Sequence, residues 1–156
     1  MIHIERPSQE PLRIEYILID FEGTLAVDRR VHPKAKDKMN LLSRRTKIYV
    51  LAQGQDQVAE EVLKKVTVEV VHLMEGESSQ GKLNLLNELG PQRTVAIGNG
   101  LDDVAMVENA GLGICVISRE GTASEMLEKA DLVVANILDA LDFLLKPMRQ
   151  QATLSR

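Results

Sequence analysis

The segment YILIDFEGTL, at residues 16–25, decides the fold, because a short apolar run ends there in an acidic, glycine-containing turn. Apolar runs of this length are typical of strands that helices cover on both faces, as in a parallel sheet. The same kind of run recurs along the chain, as KIYVLA at 47–52, VTVEVV at 66–71, TVAIG at 94–98, GICVI at 113–117 and DLVVA at 131–135. The repetition predicts six parallel strands.

Segments with helical spacing separate these runs. Pro33 can open the first helix, since proline lacks only an N–H that a helix start leaves unpaired, and Asp56 can cap the second. A third helix is predicted over 79–89, where Gly90 followed by Pro91 ends it. Three more helices are predicted, over 102–110, 122–130 and 137–145. Six strands alternating with six helices predict a three-layer, doubly wound, Rossmann-like α/β fold around a parallel sheet.

Composition bounds the class of protein. The 156 residues are 44% hydrophobic, carry a formal net charge of −4 and include one cysteine, Cys115. These values exclude a disordered chain and a disulfide framework, and we expect no nucleic-acid partner. No apolar run approaches the roughly 20 residues of a membrane span and the start has no signal-peptide core, so we expect a cytoplasmic protein without a membrane partner. A single domain is expected over 1–156, with its core at about 14–146, an N-terminal edge segment and a C-terminal tail.

Residues that can carry chemistry follow the predicted strands. Strand one leads into the acidic turn at 20–25, strand two into Gln53, and strand four into Gly-Asn-Gly-Leu-Asp-Asp at 98–103, while Lys82 begins the third helix. In doubly wound sheets, ligands bind beyond the carboxyl ends of the strands, where the strand order reverses. If strands one and four are neighbours at that point, acid, base and glycine gather at one edge of the sheet.

These motifs resemble those of the haloacid dehalogenase-like (HAD) phosphohydrolase superfamily, and most closely those of its small soluble P-type-ATPase-like branch. The superfamily's first motif, Asp-x-Asp-Gly-Thr-Leu, reads Asp-Phe-Glu-Gly-Thr-Leu at 20–25. Its last motif, Gly-Asp-Gly-x-Asn-Asp, reads Gly-Asn-Gly-Leu-Asp-Asp at 98–103. Lys82 matches the lysine between the two motifs, and the resemblance runs from about residue 16 to the final helix.

The resemblance implies a phosphatase that forms an aspartyl-phosphate on Asp20 and needs Mg²⁺, a cation that prefers oxygen ligands. The implied catalytic residues are Asp20 as nucleophile, Glu22 as general acid–base, and Lys82, whose charge neutralises Asp20 and the phosphate. Phosphate binding falls to Gly23, Thr24 and Gln53. The implied metal ligands are Asp20, the main-chain carbonyl of Glu22, Asn99 and Asp103.

Three departures from the superfamily pattern keep a second function open. Glu22 stands where a second aspartate is usual, Ala52 replaces a phosphate-binding serine or threonine, and Asn99 replaces an acidic metal ligand. The alternative is therefore a catalytically weak or inactive HAD-like protein that serves as a binding or assembly module. Asp102 is interpreted as a helix cap, and the three histidines as surface or loop residues.

The chain is expected to be capless, because only short loops separate the first motif from helix one and His72 from Lys82. The resemblance links an open site of this kind to a phosphorylated small molecule, to a phosphoprotein, or to a neighbouring subunit in a homodimer or homotetramer. Arg29 and Arg30, which follow the first motif, can meet a substrate anion, although a solvated turn is the simpler interpretation of both.

Overall fold

A computed structural model describes residues 1–154 and contains a six-stranded parallel sheet in the order β5-β4-β3-β6-β7-β8. The strands are β1 Ile2–Ile4, β2 Leu12–Ile14, β3 Tyr16–Asp20, β4 Lys47–Gln53, β5 Glu69–Leu73, β6 Thr94–Gly98, β7 Leu112–Val116 and β8 Leu132–Val134. The helices are α1 Pro33–Leu42, α2 Val58–Val62, α3 Ser78–Leu89, α4 Val104–Asn109, α5 Ser124–Lys129, α6 Ile137–Leu145 and α7 Pro147–Leu154. The prediction of a doubly wound α/β fold is confirmed.

The two faces of the sheet bury different side chains, because successive residues of a strand point to opposite faces. On β3, Ile17 and Ile19 pack into a core that includes buried residues of α1 and α6. Leu18 packs into a second core with buried residues of α3, α4 and α5. Both faces of the central strands are therefore covered, which explains why their sequences do not alternate between apolar and polar residues.

The central strands create a crevice at the carboxyl edge of the sheet. β3 pairs in parallel with β4 on one side and with β6 on the other. The chain leaves β3 towards β4 and leaves β6 towards β7, so the connections diverge between these two strands. Such a divergence opens the crevice in which α/β sheets bind ligands. Here the crevice receives the turn after Asp20 and the loop after Gly98.

The third predicted strand, β5, begins later than the sequence indicates, at Glu69 instead of Val66. Val66 lies in the turn that closes α2, where its N–H donates to the Leu63 carbonyl (2.9 Å) and its side chain is buried. β5 runs as far as Leu73 and so includes His72, which pairs with Ala52 of β4. His72 is therefore a partly exposed residue of an edge strand and not a loop residue.

The two chain ends form more regular structure than expected. β1 and β2 pair as an antiparallel hairpin apart from the main sheet, and helix α7 replaces the predicted tail as far as Leu154. The Gln150 amide fixes α7 by donating to the Phe143 carbonyl oxygen (2.9 Å). Residues 155 and 156 lie outside the described part. The hairpin buries four apolar side chains that alternate with polar ones: Ile2, Ile4, Leu12 and Ile14.

The connections near the crevice are short. A compact hairpin turn joins β3 to α1, and a brief loop joins β5 to α3, so no cap domain interrupts the chain between residues 1 and 154. The expectation of a capless core is confirmed. Over the same residues, no helix has both the length and the hydropathy that crossing a membrane requires.

Candidate active site

The turn after β3 brings Asp20 to the floor of the crevice. The main chain turns back on itself, with the Leu25 N–H donating to the Asp20 carbonyl (3.1 Å) and the Ala26 N–H to the Phe21 carbonyl (2.8 Å). Gly23 adopts a φ of 79°, and a Cβ at this position would lie 3.0 Å from Asn99 Nδ2. Glycine is therefore required both for the left-handed conformation and for the close approach of the two loops.

Lys82 lies at the centre of a buried charge cluster. Its ammonium donates to Asp20 Oδ1 at 2.9 Å, to Asp102 Oδ2 at 2.7 Å and to Asp103 Oδ1 at 2.7 Å. The Lys82 side chain is 2% exposed. Helix α3 starts at Ser78, so Lys82 lies one turn inside the helix, not at its start as predicted. This position lets the long side chain reach across the crevice from the helix layer to the end of β3.

One ammonium facing three carboxylates leaves the cluster with an excess of negative charge. Burial raises the pKa of Asp20 well above its usual value, the Asp103 carboxylate raises it further, and Lys82 opposes both effects. Burial alone would lower the pKa of Lys82, but Asp103 and Asp20 outweigh it and raise that pKa. Burial also acts against ionised Asp102, yet hydrogen bonds from Lys82 and Ser78 bring its pKa below the usual value.

The loop after β6 is held by Asp103, which is fully buried. Asp103 Oδ2 accepts hydrogen bonds from the N–H groups of Asn99 (3.0 Å) and Gly100 (3.1 Å). The amide of Asn99 is fixed in turn, because Nδ2 donates to the Gly121 carbonyl (3.0 Å) and Oδ1 accepts from the Thr24 hydroxyl (2.8 Å). The two motif loops are thus joined by direct hydrogen bonds.

Thr24 connects these loops to Asp20. Its side chain is 1% exposed, and its hydroxyl lies 3.2 Å from Asp20 Oδ2 as well as 2.8 Å from Asn99 Oδ1. A single hydroxyl hydrogen serves one of these acceptors at a time. In this structure the buried Thr24 hydroxyl orients Asp20 Oδ2 and Asn99 Oδ1.

A cavity of about 410 Å³ opens above this cluster. Five predicted site residues line it, whereas Thr24, Lys82 and Asp103 lie behind its wall. Asp102, which the sequence indicated only as a helix cap, also lines the cavity and belongs to the carboxylate cluster. The predicted residues on the wall are Asp20, Glu22, Gly23, Gln53 and Asn99.

Glu22 lies at the mouth of the cavity, beside the loop after β4. Its Oε1 accepts a long hydrogen bond from the Gln53 N–H (3.4 Å). Loss of surrounding water raises the pKa of Glu22 above its usual value. The Ala52 side chain is buried and offers no donor, so the exposed Gln53 supplies the polar groups at this end of the cavity.

The hairpin turn 27–30 spans the edge of the site. Asp28 and Arg29 both have positive φ, at 51° and 63°. The Asp28 N–H donates to Glu120 Oε2 (3.0 Å), and the Arg29 guanidinium pairs with Asp56 (3.2 Å). The turn is therefore tied to the loop after β7 on one side and to the loop after β4 on the other. Arg29 is occupied by this ion pair.

Comparisons with known proteins agree with this architecture. No family model matches the sequence. An uncharacterized protein of Methanocaldococcus jannaschii is 44% identical over 82 residues, which cover 50% of this chain and 88% of that protein. A 3-deoxy-D-manno-octulosonate 8-phosphate phosphatase from Moraxella catarrhalis, solved with magnesium, phosphate and KDO, has a TM-score of 0.71 at 14% identity and covers 86% of this chain and 87% of its own. A Streptomyces avermitilis protein assigned to the HAD family of hydrolases has a TM-score of 0.71 at 20% identity, covering 87% and 93%.

Proposed function

We propose that the chain, which belongs to the sequence family of the Methanocaldococcus jannaschii protein and has the fold of HAD hydrolases, is itself a HAD-superfamily enzyme. The proposed activity is that of a Mg²⁺-dependent phosphatase that acts through an aspartyl-phosphate on Asp20. One observation carries the proposal. The Asp20 carboxylate lines an open cavity while a buried lysine holds it from behind at 2.9 Å. A fixed carboxylate at a cavity floor is suited to nucleophilic attack on phosphorus.

The residues present fit a hard divalent cation. Carboxylate oxygens of Asp20, Asp102 and Asp103 lie within 4.8 Å of one another, and a single ammonium balances only part of their charge. Oxygen donors of this kind suit Mg²⁺. We propose that the ion is held by Asp20, the main-chain carbonyl of Glu22, Asn99 and Asp103, with Asp102 as a further carboxylate of the cluster. When bound, the ion would offset the repulsion between these carboxylates and an arriving phosphate.

In the first proposed step, a carboxylate oxygen of Asp20 forms a bond to the phosphorus of a phosphomonoester. The bond from phosphorus to the ester oxygen breaks, and that oxygen takes a proton from the Glu22 carboxyl group. The raised pKa of Glu22 favours the protonated form that this step needs. Lys82 and Thr24 keep Asp20 oriented through their hydrogen bonds.

In the second proposed step, water attacks the phosphorus of the aspartyl-phosphate and gives a proton to the Glu22 carboxylate. The bond from phosphorus to Asp20 then breaks, which releases inorganic phosphate and restores the carboxylate. Gln53 and the main chain at Gly23 line the cavity where the phosphoryl oxygens would lie. They are the proposed donors to the phosphate.

A second cavity supports a phosphorylated small molecule as the substrate, in preference to a phosphoprotein. It has a volume of about 940 Å³ and is lined by Thr24, next to Asp20, and by apolar side chains that include Val31 and Ile137. Arg30 and Arg119 also line it, and neither forms an ion pair within the described part of the chain. We propose that it receives an organic group with a second negative charge. If so, Arg119→Gln raises KM for an anionic phosphomonoester more than for a neutral one.

The test of the proposed function is turnover of an aryl phosphate by the purified protein. We expect hydrolysis with Mg²⁺, none with EDTA, and none for the Asp20→Asn variant. Asp37→Asn is the matched control, because Asp37 is an exposed residue of α1 far along the chain from the cluster. Hydrolysis that persists in Asp20→Asn would contradict the proposed nucleophile.

The alternative, a binding or assembly module, rests on the departures at Glu22, Ala52 and Asn99, since the buried Ala52 methyl group offers no hydroxyl where the superfamily pattern has a phosphate-binding serine or threonine. It predicts no turnover above the Asp20→Asn background and unchanged partner binding in that variant. Three further expectations are proposals of the same kind: one domain over 1–156, a homodimer or homotetramer that covers the open cavity, and a cytoplasmic location. Sedimentation and localisation of the tagged protein test the last two.

A further inference from the structure

His72, at the end of β5, lies between two hydrogen-bond acceptors. Its Nδ1 is 2.9 Å from the Gly54 carbonyl oxygen, and its Nε2 is 2.6 Å from Glu60 Oε2. The imidazole side chain is 27% exposed, so it is held in the structure rather than free in solvent. The other carboxylate oxygen, Glu60 Oε1, is buried without a hydrogen-bond partner among residues 1–154. The Glu60 carboxylate therefore relies on His72 for its side-chain hydrogen bond.

These contacts fix the protonation of the ring. A carbonyl oxygen and a carboxylate oxygen can only accept, so both ring nitrogens must donate. A neutral imidazole has one N–H, and its second nitrogen would turn a lone pair towards an acceptor. With Glu60 ionised, only the imidazolium satisfies both contacts at these distances.

The segment that His72 holds leads directly into the candidate active site. Gly54 is fixed to β5 twice, through His72 and through its own N–H, which donates to the Leu73 carbonyl (2.9 Å). The preceding residue, Gln53, lines the cavity and donates its N–H to Glu22. A shift of the Gly54 peptide would therefore move the adjacent Gln53. The neighbouring residue on β4, Ala52, has no side-chain donor. Gln53 is therefore the residue that can donate a hydrogen bond to a phosphate at this end of the cavity.

We propose that His72 is a positioning residue of the phosphatase site, which as an imidazolium clamps the Gly54 peptide and so places Gln53 for phosphate binding. The inference rests on the proposed function for its kinetic consequence, but the clamp itself can be measured without turnover. His72 does not contact the phosphate.

The charged groups around His72 give the direction of the pH dependence. Glu60 faces it from α2 and Asp56 from the loop after β4, while its neighbour on β4, Ala52, carries no charge. The hydrogen bond to Glu60 contributes most to raising the pKa of His72 above its usual value. The clamp is therefore closed below that raised pKa and is lost as the pH rises through it. Phosphate affinity should fall over the same range.

The first measurement is the ¹⁵N spectrum of the imidazole groups at neutral pH. We expect both His72 nitrogens to be protonated, and we expect Glu60→Gln to move the His72 titration to lower pH. The matched control is Glu5→Gln, which removes the carboxylate beside the exposed His3 (2.9 Å) and should leave His72 unchanged. A neutral His72 ring at neutral pH in the wild-type protein would overturn the proposal, whether or not the protein is a phosphatase.

The second measurement follows inorganic phosphate binding and aryl phosphate hydrolysis against pH. Loss of one hydrogen bond predicts a roughly fivefold weaker phosphate affinity and a similar rise in KM for His72→Gln, with kcat nearly unchanged. In this variant the decline of affinity through the His72 titration should disappear, whereas in the control His3→Gln it should remain. An unchanged profile in His72→Gln would refute the positioning role while leaving the phosphatase intact. Absence of hydrolysis in every protein would instead refute the proposed function, and the phosphate affinities would still test the clamp.

Discussion

Replacing Lys82 with methionine tests whether the buried ammonium holds the carboxylate cluster together. Methionine has a similar length and no charge, so Lys82→Met removes the charge while keeping most of the volume. The substitution leaves three carboxylates that had accepted hydrogen bonds at 2.7 to 2.9 Å. Two of them have little access to water, since the side chains of Asp20 and Asp103 are 6% and 0% exposed.

The size of the effect follows from this burial. Removing one partner of a buried ion pair costs about 3–5 kcal/mol, because the remaining charge stays without compensation. Asp102 adds little, since its side chain is 39% exposed and can be hydrated. A domain with a stability of about 5 kcal/mol would then be close to unfolding, whereas one with about 15 kcal/mol would stay folded. We expect Lys82→Met to lose about 3–5 kcal/mol at neutral pH.

The assay is urea unfolding in EDTA, with Lys34→Met as control. Lys34 is exposed on α1, so its substitution should change stability by less than about 0.5 kcal/mol. Burial and Asp103 raise the pKa of Asp20 and Lys82 lowers it, so loss of the ammonium raises that pKa further. Protonation then relieves the variant as the pH falls, and the deficit of Lys82→Met should shrink. A deficit below about 1 kcal/mol at neutral pH would show that the carboxylates do not depend on Lys82.

Three other substitutions address the acid–base group, the loop after β6 and a distant ion pair. Glu22→Gln should slow hydrolysis of an alkyl phosphate by about 10²-fold or more and that of a nitrophenyl phosphate much less. The alkoxide is a poor leaving group that needs a proton from Glu22, whereas nitrophenolate leaves without one. Equal losses for the two substrates would contradict this role. Gly98→Ala should reduce both turnover and melting temperature, because the added Cβ would lie 2.5 Å from Asp103 Cβ; normal turnover would contradict the packing. Asp142→Asn should lower stability at neutral pH by about 1–3 kcal/mol, since Lys38 lies 2.6 Å away and both side chains are largely buried. Burial opposes the ionised form of Asp142, but Lys38 and other cations lower its pKa overall. Its contribution to the free energy of unfolding is therefore present above the unfolded-state pKa and is lost as the pH falls through the folded-state pKa. A difference between wild type and Asp142→Asn that stays constant with pH in urea unfolding would contradict this.

The elements that position the site could be predicted because their sequences have few alternatives. YILID and TVAIG are apolar over most of their length, which is typical of a strand covered on both faces. β3 and β6 are found at the predicted residues, and they lie side by side as the site required. The order of acid, base and glycine along the chain then places Asp20 and the loop after Gly98 at the same edge.

Other features depend on contacts that a sequence pattern does not contain. β1 and β2 are three residues each, too short for their alternation to stand out, and the main core stabilises them. Asp102 has the ordinary signature of a helix cap, and only Lys82, arriving from α3, makes it part of a cluster. The role of His72 depends on its hydrogen bonds to Gly54 and Glu60, which lie on two other segments of the fold.

The position of Lys82 bears on the choice between an enzyme and a binding module. Burying the two carboxylates of Asp20 and Asp103 with an ammonium costs several kcal/mol per ion, and apolar residues of similar volume often serve stability as well or better. A site that only held a divalent cation would bind it more strongly without an ammonium at 2.7 to 2.9 Å from the same carboxylates. The ammonium is useful where a second anion must approach, since it reduces the repulsion that the anion meets. The cluster is therefore better suited to a cavity that admits a phosphate beside Asp20 than to a purely structural metal site.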